Sequence, residues 1–302
     1  MKILIPVDGS PCSAAALEFI AARPFGQGDR PEVDLLNVQL PIPPRAGRAV
    51  GAEIVRAMHE AESAKVLKPA VSLLRAAQLE PAWQYRVGSP ALEIVEWAEA
   101  HGSDLIVIGS HGHTAIKALV FGSVTQKVLA STHVPMLTLR AAKPPRRASL
   151  RVGIALDGSA YGIAAARYVL AHLPLFGPRP AVTLIHVAEP TAAEALDRGQ
   201  PNSSGEQLSS AAADATAEIL TPVRAQFEQA GVAVREELLV GEPGEEIVRF
   251  ARSRRLDLLA MGSHGRGAFT AALLGSVARR VAATCTTPLL LLRPPEGSVA
   301  AR

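Results

Sequence analysis

The chain has 302 residues, 48% of them hydrophobic, and its 31 Lys and Arg against 28 Asp and Glu leave a formal charge of +3. That length suits two domains of ordinary size, and that apolar share fills their cores, which excludes a disordered chain. Arginines raise the isoelectric point to about 9.1, but they are scattered. The densest basic stretch, "KPPRRASLR" (Lys143 to Arg151), reads as a solvated linker, so no specific nucleic-acid partner is expected.

Cys12 and Cys285 are the two cysteines, and they form neither a C-x-x-C pair nor a metal-type spacing. A reducing, cytoplasmic compartment suits them. The opening "MKILIPVDGS" reaches a turn after seven residues, too soon for a signal-peptide apolar region. No apolar run approaches the ~18 residues that span a bilayer, so no membrane role is expected.

In chain order, "ILIPVDGS" (Ile3 to Ser10) predicts a buried strand ending in a turn. A helix follows over Cys12 to Ala22, with Ser10 as N-cap and Pro11 in the first turn. "VDLLNV" (Val33 to Val38) predicts the second strand. "QLPIPPRAGRAVG" (Gln39 to Gly51) reads as a flexible loop before a long helix over Ile54 to Ala77. Pro90 opens another helix, which Gly102 ends after His101. "DLIVIG" (Asp104 to Gly109) is a fourth strand, and "VPMLTLR" (Val134 to Arg140) contains the fifth.

Then the pattern starts again. "VGIALDGS" (Val152 to Ser159) matches the first strand and turn, and "VTLIHV" (Val182 to Val187) the second strand. "LVGEPGEEIVRFA" (Leu239 to Ala251) matches "RVGSPALEIVEWA" (Arg86 to Ala98), and "TPLLLLR" (Thr287 to Arg293) the last strand. Asp8 answers to Asp157 and Val38 to Val187, each 149 positions on; Gly88 answers to Gly241 and Gly109 to Gly262, each 153 on. The second copy has therefore gained four residues between its second and third strands, where "DRGQPNSSGEQLSS" (Asp197 to Ser210) reads as a flexible loop. The expected organisation is a domain over 1–140, a linker over 141–149, a second domain over 150–294 and a flexible tail over 295–302. Strands that are short and rich in Ile, Val and Leu, alternating with Ala-rich helices, predict in each copy a doubly wound open parallel sheet of five strands with helices on both faces.

Glycines carry the most specific signal. Gly109, Gly112, Gly122 and Ser123 follow G-x2-G-x9-G-S, and Gly262, Gly265, Gly275 and Ser276 repeat the spacing without a slip. Glycine after a strand turns the chain and lets amide N–H groups approach a phosphate. A Gly-Ser that opens a helix adds first-turn amides, a hydroxyl and the positive dipole end. The pattern, present twice, favours a polyphosphate over a plain strand-end turn and N-cap. For Asp8 and Asp157, in "DGS" after the first strands, two readings stay open: a ribose or divalent-ion contact, or an Asx turn. His111 and His264, inside the glycine turns, either touch phosphate or bond to backbone. Cys12 reads as a buried structural thiol, Trp83 and Trp97 as packing, and Asp104 and Asp257 as turn residues at the far end of the sheet. In an open doubly wound sheet a ligand binds beyond the strands' carboxyl ends, at the switch point. If the first and fourth strands are neighbours, Asp and glycines meet there.

Those motifs together, "PVDGS", "VGSPALEIV", "DLIVIGSHG", the G-x2-G-x9-G-S spacing and the closing "PMLTL" or "PLLLL", resemble the universal stress protein family, as a tandem two-domain member, over nearly the whole chain. The resemblance implies an adenine-nucleotide α-hydrolase-like fold with strand order 3-2-1-4-5, and ATP at the switch point. It implies Asp8 and Asp157 facing ribose and phosphate with the aid of Mg2+ or Mn2+, and the backbones of Val38 and Val187 meeting adenine. The triphosphate falls to Gly109, Gly112, Gly122 and Ser123, and to Gly262, Gly265, Gly275 and Ser276. Carried over beside these are Pro6, Val7, His111 and Val124 in the first copy, and Ala155, Leu156, His264, Arg266 and Val277 in the second. It also implies domains paired through their fifth strands, and a homodimer is compatible with it. Departures are Tyr161 and Gly162 where the first copy has Cys12 and Ser13, and "HTAIK", with Lys117, against "RGAFT".

"DGSPCS" and "DGSAYG" do not supply the G-x-G-x-x-G of a dinucleotide oxidoreductase, "GSHGHTAIK" is not a P-loop, and no "SGGxDS" pyrophosphatase loop occurs. A receiver domain needs an aspartate where Arg86, Val87 and Gly88 stand. No positioned general base or transition-state arginine is evident, so the expectation is a regulatory ATP-binding stress-response protein and not an enzyme. The alternative is an interaction or dimerisation module of the same fold that binds no nucleotide.

Overall fold

The computed structural model describes residues 1–111, 121–140, 144–188, 210–265 and 274–293. The chain divides into two compact units, the first Met1–Ala148 and the second running from Ser149 onward except for Pro174–Pro178 and Pro288–Leu290, which group with the first. Apart from those two segments, each unit carries one repeat of the elements.

The first unit runs β1 (Lys2–Pro6), α1 (Pro11–Ala21), β2 (Glu32–Gln39), α2 (Pro44–Val50), α3 (Ala52–Ala76), β3 (Ala82–Val87), α4 (Pro90–Ala100), β4 (Leu105–Gly109), α5 (Ser123–Ser131) and β5 (Met136–Leu139). Its strands lie in the order β3-β2-β1-β4-β5, all parallel. The second unit runs β6 (Arg151–Ala155), α6 (Ala160–Ala171), a 3-10 turn at Leu173–Phe176, β7 (Ala181–Ala188), α7 (Ser210–Gln229), β8 (Val234–Val240), α8 (Pro243–Ser253), β9 (Leu258–Gly262), α9 (Ser276–Thr284) and β10 (Leu289–Leu292). Its order is β8-β7-β6-β9-β10. The fold is therefore the α/β, doubly wound one that the sequence leads to expect, and in each unit the first and fourth strands are neighbours.

The central strands are covered on both faces, which is why they read as unbroken apolar runs: Ile3, Leu4, Ile5, Leu105, Ile106 and Val107 are fully buried. In the first unit α1 packs with α3, and α4 packs with α5. At the amino ends of the strands the two copies use the same bond. Asp104 Oδ2 accepts from the Lys2 backbone N–H at 2.7 Å, and Asp257 Oδ2 from that of Arg151 at 2.9 Å. These aspartates tie the fourth strand to the first at the end away from the switch point.

One expectation is corrected. The stretch from Gln39 to Gly51 is not all loop, because Pro44–Val50 forms α2. Proline presets the first helical turn, and arginine and alanine are good helix formers. Gly51, at φ 90°, then breaks α2 from α3. The expected loop at Asp197–Ser210 lies outside the described residues except for Ser210, which starts α7; the tail over 295–302 lies outside them as well.

Candidate functional site

At the carboxyl end of β1, the chain leaves the sheet through a turn fixed on both sides. The Val7 N–H donates to Leu36 O at 2.9 Å, and Asn37 Nδ2 donates to Val7 O at 2.7 Å. Asp8 Oδ1 then accepts the Ser10 N–H at 2.9 Å, closing an Asx turn around Gly9 at φ 80°. Ser10 is buried and its hydroxyl accepts from the Ser13 N–H at 3.2 Å, capping α1. The local, structural reading of "DGS" is thus satisfied, and Asp8 still stands exposed at the mouth of the turn.

β4 ends one strand away. A Cβ built on Gly109 would lie 2.8 Å from Cys12 C and Cβ and 2.9 Å from Ser13 N. Glycine is required here by the approach of α1, before any ligand is considered. The chain then returns: the Gly122 N–H donates to Ser110 O at 2.8 Å, and Thr125 Oγ1 donates to Gly109 O at 2.9 Å. Those two bonds seat the start of α5 on the strand end. The N-cap is Gly122, so Ser123 is the first helical residue and its exposed side chain does not serve as that cap.

Between these elements lies a cleft of about 410 Å³, within the size range of small-molecule sites. It gathers Pro6, Val7 and Asp8 from the end of β1, Val38 from β2, Gly109 and His111 from the turn after β4, and Gly122, Ser123 and Val124 from the start of α5. Gly112 lies outside the described residues. The cleft also takes residues that the sequence did not single out for it. Leu36, Pro90, Ile94 and Ile108 add apolar side chains to its lining, and Ser10, Ser13 and Thr125 add hydroxyls. Pro90 and Ile94, four apart on α4, share a helix face, but only the docking of α4 brings that face to β2.

The electrostatics come from backbone. No Lys or Arg lines the cleft among the described residues, and Asp8 is its sole carboxylate. Two helices begin at its rim, α1 at Ser10 and α5 at Ser123, and a helix start presents N–H groups that have no intrahelical acceptor, with positive dipole potential. An anion is favoured at these helix starts and an apolar group against Leu36, Pro90 and Ile94. As for a divalent ion, no group of three or more His, Cys, Asp or Glu that could hold one is present among the described residues. Asp8 fits one ligand position of a hard cation whose remaining ligands are water and ligand oxygens, the habit of Mg2+.

The second unit repeats the frame with altered walls. The Leu156 N–H donates to Ile185 O at 2.8 Å, and His186 Nδ1 lies 2.8 Å from Leu156 O, doing the work of Asn37. Since a carbonyl only accepts, Nδ1 carries the proton. Asp157 Oδ1 accepts from the Ser159 N–H at 3.0 Å and from Ser159 Oγ at 2.5 Å. Ser159 caps α6 through the Gly162 N–H. The Gly262 position faces Tyr161 Cβ at 2.5 Å, and the Gly275 N–H donates to Ser263 O at 2.9 Å. A Cβ built on Gly265 would lie 2.7 Å from Asp157 Oδ2. Ala155 and Asp157 therefore stand at the end of β6, Val187 in β7, and Ser276 and Val277 open α9. His264 is buried; Arg266 lies outside the described residues.

Other candidates have structural roles. Both cysteines are buried. Trp97 donates to Asp34 Oδ2 at 3.4 Å and stacks on His101 with centroids 3.9 Å apart.

Against known proteins, the model of the universal stress protein family matches residues 1–140 and again 149–293. A universal stress protein of Mycolicibacterium smegmatis is 27% identical over 305 residues, covering 97% of each chain. One from Methanocaldococcus jannaschii is 39% identical over 79 residues, 26% of this chain; the match spans about half of that relative's length, 46%. Among solved structures, a universal stress protein from Archaeoglobus fulgidus superposes with a TM-score of 0.72 over 97% of this chain and 98% of its own, at 21% identity, which establishes likeness of fold.

Proposed function

We propose, since this chain belongs to the universal stress protein family, that its first unit binds ATP together with a divalent ion, Mg2+ or Mn2+, and that nucleotide occupancy regulates the protein's association with partners in a stress response. The observation that carries this reading is the composition of the cleft, which joins the apolar Leu36, Val38, Pro90 and Ile94 to Asp8 and the amino ends of α1 and α5. Adenine suits the apolar residues and a triphosphate the helix starts. The ion offsets the negative charge that Asp8 and the phosphates would otherwise bring together. Nothing in the cleft supplies a cationic side chain at a transferring phosphoryl group among the described residues, so the role is binding, with at most slow hydrolysis. No helix among the described residues is long and apolar enough to cross a membrane.

The test is calorimetry with Mg-ATP on the whole chain, beside Asp8→Ala. Binding is expected in the parent, weakened about tenfold or more in the variant, since a lost charge-assisted ligand is worth about 1.5–3 kcal/mol. Thermal stabilisation should accompany it, about 2.7 kcal/mol at a ligand concentration 100 times Kd. No heat and no stabilisation in the parent would sink the reading and leave the interaction module.

A further inference from the structure

In each unit the third strand forms a sheet edge, β3 beside β2 and β8 beside β7, and the two edges are built differently. β8 reads Val-Arg-Glu-Glu-Leu-Leu-Val. Its Glu236 pairs with Arg224 at 3.5 Å and its Glu237 with Arg254 at 3.5 Å. Charges along an edge guard it against pairing with a foreign strand. β3 reads Ala-Trp-Gln-Tyr-Arg-Val and carries a single charge, Arg86. Trp83, which the sequence assigns to packing, is 57% exposed, and Val87 is 42% exposed.

The free side of β3 has a definite order. The Gly88 N–H donates to Gln39 O at 3.0 Å, so Gly88 points at β2, and by the alternation of a parallel strand so do Arg86 and Gln84. The backbone N–H and C=O groups of Trp83, Tyr85 and Val87 therefore point away from β2. Among the described residues no strand pairs with β3 on that side. The side chains of these three residues share one face of the strand. Arg86 lies on the other, its guanidinium 5.2 Å from the Trp97 ring centroid and 3.8 Å from Glu93 Oε2, both on α4. Leu40, also exposed, follows Gln39, the partner of Val87, and extends the apolar surface at that end.

We infer that β3 docks on β3 of a second copy of this chain, antiparallel, with the twofold axis at Tyr85. In that register Tyr85 meets Tyr85 of the second copy and Trp83 meets its Val87. Every outward residue then faces an outward residue, and each such pair exchanges two N–H···O bonds. Between them Arg86 stands opposite Gln84 of the second copy, so no like charges meet across the ladder. Moved to Arg86, the axis would set two arginines face to face. Moved to Gln84, it would set Val87 against Pro81, which has no N–H to give. Charge and backbone pattern together thus select a copy of the same strand in one register. A ladder of this length buries less than the ~1,200 Å² of a standard interface, so the dimer is a weak one, formed at micromolar concentration. The inference stands apart from the nucleotide reading.

The experiment is sedimentation velocity of the full chain from about 1 to 200 µM, with thermal melts to establish folding of every variant. The parent is expected to pass from monomer to dimer in that range. Trp83→Lys, which gives β3 the kind of guard that β8 has, should raise the dissociation constant at least about tenfold, since tryptophans are prominent among interface hot spots. Tyr85→Pro removes an outward N–H and leaves the bonds to β2, a place where an edge strand tolerates proline, and should weaken the dimer likewise. Tyr85→Cys sets two thiols on Cα atoms about 5.5 Å apart, within disulfide reach, so mild oxidation should link two chains. Trp83→Cys, whose copies lie about 13 Å apart along the ladder, should not. Cys12 and Cys285 are buried and stay out of this reaction. A parent that remains monomeric to about 200 µM, a dimer unchanged by both Trp83→Lys and Tyr85→Pro, growth beyond the dimer, or equal cross-linking of the two cysteine variants overturns the inference. Should Trp83→Lys or Tyr85→Pro unfold the chain, the cysteine pair decides alone.

Discussion

Gly109 has two possible reasons to be glycine, and Gly109→Ala separates them. If the residue is bare only so that phosphate can approach, adding a methyl group costs the ligand-free protein nothing. It would even stabilise the chain by about 0.4–1 kcal/mol through the unfolded state, because Gly109 ends a strand and is not at a positive φ. The structure says otherwise. The new Cβ would stand 2.8 Å from two atoms of Cys12 and 2.9 Å from Ser13 N, short of the 3.4 Å at which ordinary contact begins, and two of those three atoms are backbone. Relief requires the start of α1 to move, and α1 is fixed by the Ser10 cap and by the fully buried Phe19 and Ile20. Overpacking of this kind costs about 1–3 kcal/mol, so the net loss is about 1–2 kcal/mol, a fall in Tm of about 2–8 °C for a domain of this size. Urea and thermal unfolding of the ligand-free protein measure it. Unchanged or raised stability would refute the packing argument and return the glycine to phosphate alone.

Two further outcomes follow from the hydrogen bonds. Asn37→Ala should destabilise the protein by about 1–3 kcal/mol, read as a lower urea midpoint, because Asn37 is 3% exposed and Val7 O loses the amide that holds the turn before Asp8. Asp257→Ala should cost about 1.5–3 kcal/mol in the same assay, since it breaks bonds to both the Arg151 N–H and the Arg151 guanidinium.

What the sequence made legible was whatever depends on chain-local chemistry. Buried parallel strands announce themselves as apolar runs, and Ser10 and Ser159 as caps ahead of helical segments; both are found so. The strand order came from family resemblance, because periodicity does not order strands, and the register confirms β1 beside β4. The apolar wall of Pro90 and Ile94 was not legible, since it exists only once α4 docks beside β2. Nor was the bridge from Asn37 to Val7 O. Its counterpart is His186 on Leu156 O, so the two copies keep one hydrogen bond with unlike residues, and a comparison of letters passes over it. The glycine spacing was visible, but part of its cause was not: helix approach accounts for Gly109 and Gly262 without a ligand.

The distribution of sameness between the copies bears on function. Bonds that build the frame occur twice: the caps at Ser10 and Ser159, the returns from Gly122 to Ser110 and from Gly275 to Ser263, and the ties at Asp104 and Asp257. Other positions of the same elements differ between the copies. Cys12 becomes Tyr161, Ser13 becomes Gly162, and Thr125, which bonds Gly109 O, becomes Ala278. Ser13 and Thr125 line the first cleft as hydroxyls, and their counterparts Gly162 and Ala278 carry none. Fold energy resides in the buried bonds and strands that both copies keep, while ligand affinity resides in the few groups that face a cleft, and Ser13 and Thr125 are among those groups in the first copy.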